Sequence, residues 1–244
     1  PSNDARGIHA RGIHARGIRG DRVSMVFQDA ITALNPGLSV GYQISEIFRV
    51  HRPGTSRRDA LNQAIALMDQ VKIPSARQRV HSYPHEFSGG MSQRIMIAMA
   101  IALAPDVLIA DEPTTALDVT VQAQIMQLLV ELREQTGMAL ILITHDIGVA
   151  AEATDRIQVM YAGRIVESGP TAEVVAKPAH PYTIGLMNSV PRAAMKHRKL
   201  RTIDGAPPVL TAIPSGCPFH PRCPRRQPIC ASELPQLSAV VLGR

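Results

Sequence analysis

Val107-Leu108-Ile109-Ala110-Asp111-Glu112 is the stretch on which the fold turns. Its four apolar residues have the length and composition of a strand buried on both faces of a parallel sheet. The two acids that close it then fall at the C-terminal edge of that strand, where open α/β sheets place their ligand sites. Adjacent carboxylates at such an edge suit a divalent cation and a proton acceptor. Asp111 is a candidate Mg²⁺ ligand, commonly through a water, and Glu112 a candidate base for a water attacking a terminal phosphate. An apolar run ending in acids is also a common way to close a strand, so the weight rests on what surrounds it.

Downstream, a helix predicted over about Val119 to Gln135 leads into a second apolar run, Ala139-Leu140-Ile141-Leu142-Ile143. Strand, helix and strand in that order imply a parallel pair with a right-handed crossover, the second strand also buried on both faces. Thr144-His145-Asp146 closes it, so His145 is expected at the same sheet edge as Glu112, within reach of a γ-phosphate. Upstream, Arg22 to Gln28 alternates apolar and polar as a half-buried strand does, and Gln28 at its end is placed to reach the metal and the attacking water. The turn signal Asn35-Pro36-Gly37 follows. Helices are then predicted over Val40 to about Arg52 and Thr55 to Val71, the latter capped by Thr55 or Ser56. Ser88-Gly89-Gly90 opens a further helix running to about Leu103; a hydroxyl and two glycines there let backbone N–H groups approach a phosphate, or serve as an ordinary helix cap. Arg156–Tyr161 and Arg164–Glu167 flank Ala162-Gly163 as a hairpin.

Composition narrows the class. The 244 residues are 45% hydrophobic and 19% charged, which fits an ordinary globular domain with or without a tail. The longest apolar run, Ile95 to Ala104, is ten residues, short of the roughly 18 or more of a membrane span. The basic N-terminus leads into no signal-like apolar core, so a cytoplasmic protein is expected, and the absence of an initiator Met suggests a fragment. The net charge of +6 sits at the ends: residues 1–22 carry five Arg against two Asp, residues 191–244 nine Lys or Arg against two acids, and the middle is acidic by four. With no Trp, four Phe and four Tyr there is little for base stacking, and specific nucleic-acid binding is not expected. Residues 5–19 repeat ARGIH, ARGIH, ARGIR, so 1–21 is read as a disordered low-complexity leader. Nine of the nineteen prolines lie past Val190, and 191–244 is read as an extended tail.

In this order the motifs resemble those of ABC transporter ATPases. Val26-Phe27-Gln28 is similar to the Q-loop, Phe87-Ser88-Gly89-Gly90-Met91 to the signature motif, Val107 to Glu112 to the Walker B strand, Ala116-Leu117-Asp118 to the D-loop and Thr144-His145-Asp146 to the switch-histidine loop. The resemblance covers about 22–190 and implies a P-loop NTPase-like α/β nucleotide-binding domain with a parallel core sheet and an α-helical subdomain over about 38–104. It also implies a head-to-tail dimer with ATP and Mg²⁺ at the interface. Gln28, Asp111, Glu112 and His145 would act in cis, whereas Ser88, Gly89 and Gly90 would serve the partner's nucleotide; the D-loop Asp118 is a further expected nucleotide-site residue. Gln28-Asp29 with Leu34-Asn35-Pro36, and His180-Pro181-Tyr182-Thr183 leading to Ser189-Val190-Pro191, resemble the dipeptide/oligopeptide/nickel importer branch; Ser92 departs from the Arg that commonly follows the signature Met there. The implied partners are a second ATPase subunit, identical or related, and a membrane permease at the cytoplasmic face, with an extracytoplasmic solute-binding protein acting indirectly.

Two departures matter. Importers of this branch often carry a Cys-rich C-terminus, in some members with an iron–sulfur cluster. This chain offers Cys217, Cys223 and Cys230, three ligands where such a cluster takes four. A fourth Cys beyond Arg244, His220 in a zinc-like set, or three free thiols in a loose tail are the alternatives. And no G-x-x-x-x-G-K-[ST] phosphate loop occurs anywhere in the 244 residues: Gly7 and Gly12 have its glycine spacing, but Ile13-His14 stands where Lys and Ser or Thr are required. The isolated chain is therefore expected to be inactive, with truncation or genuine loss of that loop as explanations. The alternative function is a non-catalytic chain that only completes a partner's ATP site through its signature motif.

Overall fold

Parallel pairing lines the apolar runs up by their ends. The structure, a computed structural model, describes residues 15–189 and 202–238, so most of the N-terminal repeat, residues 1–14, lies outside the described residues. At its end Ala15–Ile18 forms a helical turn. The chain divides into two compact units between His145 and Asp146.

The first unit runs α1 (Ala15–Ile18), β1 (Val23–Val26), α2 (Ala30–Ala33), α3 (Val40–His51), α4 (Arg57–Gln70), α5 (Ala76–Arg79), α6 (Gly89–Ile101), β2 (Val107–Asp111), α7 (Val119–Thr136) and β3 (Ala139–Ile143). Side-chain oxygens cap the long helices: Ser39 accepts from Tyr42 N–H, Ser56 rather than Thr55 from Asp59 N–H, Ser88 from Met91 N–H and Asp118 from Val121 N–H. Gly137 ends α7 in the left-handed conformation at φ 72°. The buried Gln43 side chain holds the turn that follows β1 and α2, accepting from Asn35 N–H at 2.9 Å and donating to the Asn35 and Leu38 carbonyls at 3.0 and 2.9 Å.

The strands form a parallel sheet in the order β1-β2-β3. Val26, Leu108, Ile95, Ile97, Ile125, Leu128, Leu129 and Leu132 are among the fully buried core residues of this unit. β2 is central, with Leu108 and Ala110 buried and Val107 and Ile109 half-buried. β3 corrects the expectation of burial on both faces: like β1 it is an edge strand among the described residues, and Ile141 and Ile143 are 50% and 47% exposed. An apolar run reads alike at the centre of a sheet and at its edge; neighbours decide which it is.

The second unit holds α8 (Ile147–Ala153), β4 (Arg156–Tyr161), β5 (Arg164–Pro170), α9 (Thr171–Ala176) and α10 (Pro181–Ser189). β4 and β5 pair as the expected hairpin, with a bulge between Val159 and Met160 and with β5 reaching three residues beyond Glu167. Past α10 the Pro-rich residues 202–238 have little regular structure, only short 3₁₀ turns at His220–Arg222 and Pro228–Ala231, yet they are firmly anchored. Phe219, 2% exposed, packs edge-on against Tyr161 and Tyr182 and tilted against His180 at centroid distances of 5.2, 5.5 and 5.9 Å. The Arg222 guanidinium donates to the carbonyls of Ile203, Asp204 and Gly205 and to the Tyr161 hydroxyl. Truncating the aromatic anchor, Phe219→Ala, is expected to destabilise this unit by about 3–5 kcal/mol, read by tyrosine fluorescence in a denaturant titration. A loss below about 1 kcal/mol would show that the tail is not held through this contact.

Candidate functional site

Strand register builds the site. Val26 lies beside Ala110, and Asp111 beside Ile143, so β1, β2 and β3 end together. Gln28 follows β1 by two residues, Glu112 follows β2 directly, and His145 follows β3 by two. The Glu112 N–H donates to the Ile143 carbonyl at 2.9 Å, one rung beyond the strand pairing, while the residue itself turns into the left-handed region at φ 43°. A non-glycine residue there costs on the order of 1–3 kcal/mol of local strain, a cost that clusters at functional sites.

That turn brings the Glu112 carboxylate against three other side chains. Its Oε2 accepts from Gln28 Nε2 at 3.2 Å and from the Thr115 hydroxyl at 2.8 Å, and its Oε1 lies 3.2 Å from His145 Nδ1. The last contact is a hydrogen bond when Nδ1 carries the proton. The Thr115 hydroxyl, and after it the His145 ring, hold the Glu112 carboxyl below the ordinary glutamate range. The group is therefore ionised at neutral pH, as a proton acceptor has to be. Asp111 is half-buried, and its carboxylate has no partner among the described residues.

Sequence reasoning missed Thr115. It sits in the turn after the acid pair, where neither periodicity nor charge marks it; the only available signal was the pair of hydroxyls in Pro113-Thr114-Thr115. This turn is braced from α7, because Gln122 Nε2 donates to Thr114 Oγ1 at 3.1 Å, and it ends at Asp118, the α7 cap. Ser88 likewise caps α6, its Oγ 3.4 Å from Met91 N. The glycine turn lies beside the segment that carries Asp118: a Cβ on Gly89 would stand 3.6 Å from Leu117 Cδ2, and one on Gly90 only 2.5 Å from Val121 Cγ1.

The three cysteines do not assemble a ligand set. Cys217 N–H donates to the Cys230 carbonyl at 2.9 Å, but all three thiols are free, and among the described residues no group of three or more His, Cys, Asp or Glu side chains is arranged to hold a metal ion. The iron–sulfur expectation is thus not supported, and neither is the zinc-like set with His220. The His220 ring instead meets the Cys217 carbonyl at 2.9 Å.

A parallel sheet whose strand ends converge on a glutamate, with a capped glycine turn beside the following helix, is the architecture of an ATP-binding cassette. Solved structures agree. The chain is 29% identical, at a TM-score of 0.55, to a dimeric ATP-binding cassette in a post-hydrolysis state bound to ADP and Pi, covering 62% of this chain and 64% of that one. It is 30% identical, at 0.56, to cbiO1 from Clostridium perfringens, part of the ABC transporter complex cbiONQ, covering 64% and 59%. Residues 4–115 match the ABC transporter family and residues 166–230 the oligopeptide/dipeptide transporter C-terminal region. Among curated relatives, the oligopeptide transport ATP-binding protein OppD of Salmonella typhimurium is 52% identical over 93% of this chain and 67% of its own length. The dipeptide transport ATP-binding protein DppD of Bacillus subtilis is 50% identical over 89% and 64%. The chain belongs to the ATP-binding proteins of the ABC transporter family, in the branch with the oligopeptide/dipeptide C-terminal region, and it spans about two thirds of the length of these relatives.

The depressed Glu112 pKa sets a pH dependence. Its contribution to stability is fully present above the ordinary glutamate value and is lost as pH falls through the lower folded value. Thr115→Val removes the largest cause, so the stability gap between wild type and variant, read from urea midpoints, is expected to be widest near neutral pH and to close in acid. A gap independent of pH would show that the hydroxyl does not act on this carboxylate.

Proposed function

We propose that this chain is the ATP-hydrolysing subunit of an importer for peptides, with nickel as the alternative solute class. The observation that carries the reading is the convergence of three strand ends on one ionised carboxylate, Glu112, flanked by Gln28 and His145. In this reading Glu112 accepts the proton of the water that attacks the terminal phosphate of ATP. Gln28 and His145 orient that water and the phosphate at the Glu112 edge of the sheet.

Mg²⁺ fits the donors present. Asp111 offers a half-buried carboxylate without a protein partner among the described residues, and Gln28, which donates to Glu112 through Nε2, keeps its amide oxygen for a cation. One carboxylate and one carbonyl are few protein ligands, as suits an ion that shares its coordination with phosphates and water. When bound, Mg²⁺ would neutralise charge on the β- and γ-phosphates.

Ser88, Gly89, Gly90 and Asp118 would face the nucleotide of a second ATPase subunit, and the helical region from about Leu38 to Ser82 would receive a membrane permease at the cytoplasmic face. No helix among the described residues is long and apolar enough to cross a membrane, so attachment would be peripheral. One observation favours a second reading: the 244 residues contain no phosphate loop. On that reading the chain is non-catalytic and only completes a partner's site through Ser88-Gly89-Gly90.

Glu112→Gln separates the two. In an assembled transporter whose chain also carries a phosphate loop ahead of Gln28, the variant is expected to keep ATP binding and to accumulate as a closed, ATP-loaded dimer with turnover lowered at least about a hundredfold, read by phosphate release and size-exclusion chromatography. Wild-type turnover by the variant would remove Glu112 from catalysis and leave the signature face as this chain's contribution.

A further inference from the structure

We propose that Val121 is a positioning residue for the signature turn, and that the absence of a side chain at Gly90 serves this contact as well as any nucleotide. The inference rests on the reading above that Ser88-Gly89-Gly90 and Asp118 face a partner's ATP. A Cβ on Gly90 would lie 2.5 Å from Val121 Cγ1, 3.7 Å from its Cβ and 3.8 Å from its Cγ2, the first far inside van der Waals contact. The obstacle does not swing aside, because a valine in a helix is held to one χ1 rotamer about nine times in ten.

The contact belongs to a strip. Leu117 stands against Gly89, Val121 against Gly90, and the Gln124 amide oxygen accepts from Arg94 Nη2 at 3.1 Å. Positions 117, 121 and 124 are spaced by four and three residues, and 90 and 94 by four, so one stripe of α7 with its leading turn meets one stripe of α6. Arg94 is partly desolvated, which lowers its pKa, and its Nη1 donates to the Val71 carbonyl at 3.0 Å, tying the end of α4 to the same joint.

Both α6 and α7 begin at this joint, one capped by Ser88 and the other by Asp118. A shift of α7 therefore carries the glycine turn with it, and the two features offered to a partner move as one body. Val121 touches no reacting group in this account; it acts through Gly90.

A double-substitution cycle on Gly90→Ala and Val121→Ala tests the proposal, with two readouts. In the assembled transporter, Gly90→Ala is expected to lower kcat for ATP about tenfold with KM nearly unchanged, and adding Val121→Ala to restore kcat to within about threefold of the Val121→Ala variant. In thermal unfolding of the chain itself, Gly90→Ala should lower the midpoint and the second substitution should recover most of that loss. Should the double variant stay as slow as Gly90→Ala, or its midpoint fall by the sum of the two single losses, Val121 does not position the turn. A wild-type transporter that hydrolyses no ATP would instead count against the functional reading, with the unfolding cycle still deciding whether Val121 and Gly90 are coupled.

Discussion

Glu112 leaves β2 in a left-handed backbone conformation while its N–H is still bonded to β3, and most of what the first unit can do follows from that one turn. Pairing to the Ile143 carbonyl fixes where the residue begins, and the positive φ fixes where its side chain goes. An extended residue at this position would continue the strand and send the carboxylate past the sheet edge. Turned, it meets the amide of Gln28, the hydroxyl of Thr115 and the ring of His145. The strain is offset by these hydrogen bonds, each worth more because its acceptor is charged. The parallel register makes the meeting possible, since β1 and β3 end level with β2 and deliver Gln28 and His145 from either side.

The same edge carries negative charge. Asp111 and Glu112 place two carboxyl groups at one edge, and the partners of Glu112 are an amide, a hydroxyl and an imidazole, none of them a fixed cation. A triphosphate brought to about 4 Å from an ionised carboxylate meets repulsion of about 4 kcal/mol per pair of unit charges at an effective dielectric of 20. On the proposed reading Mg²⁺ would relieve part of this, and a phosphate loop would supply the rest through a Lys and a row of backbone N–H groups. On the same reading the 244 residues would supply the water-activating side of an ATP site and a signature face. The cradle for the phosphates is not among them.

Much of this was legible in the sequence, for identifiable reasons. The ends of the apolar runs located Glu112 and His145, and once the strands are parallel the chemistry at their ends has to share an edge. Ser88, and a cap at Thr55 or Ser56, could be placed at helix starts because capping residues act locally. What stayed hidden depends on contacts distant in sequence. The exposure of Ile141 and Ile143 is a property of the strand's neighbours and not of its composition. The anchoring of the Pro-rich tail depends on Phe219 and Arg222 meeting Tyr161 some sixty residues away, which no periodicity records. Thr115 escaped because Ser and Thr hydroxyls in turns commonly bond the local backbone, so neither threonine of the pair is marked for a side-chain partner.

The proposal that these 244 residues would supply the hydrolytic and signature groups of an ATP site, while a phosphate loop outside them would grip the triphosphate, is most directly tested by titration calorimetry of Mg-ATP into the 244-residue chain alone. The account predicts no measurable binding heat at up to millimolar nucleotide. A saturable isotherm with a micromolar Kd would contradict it, because it would mean that some group other than a phosphate loop holds the triphosphate at the Glu112 edge.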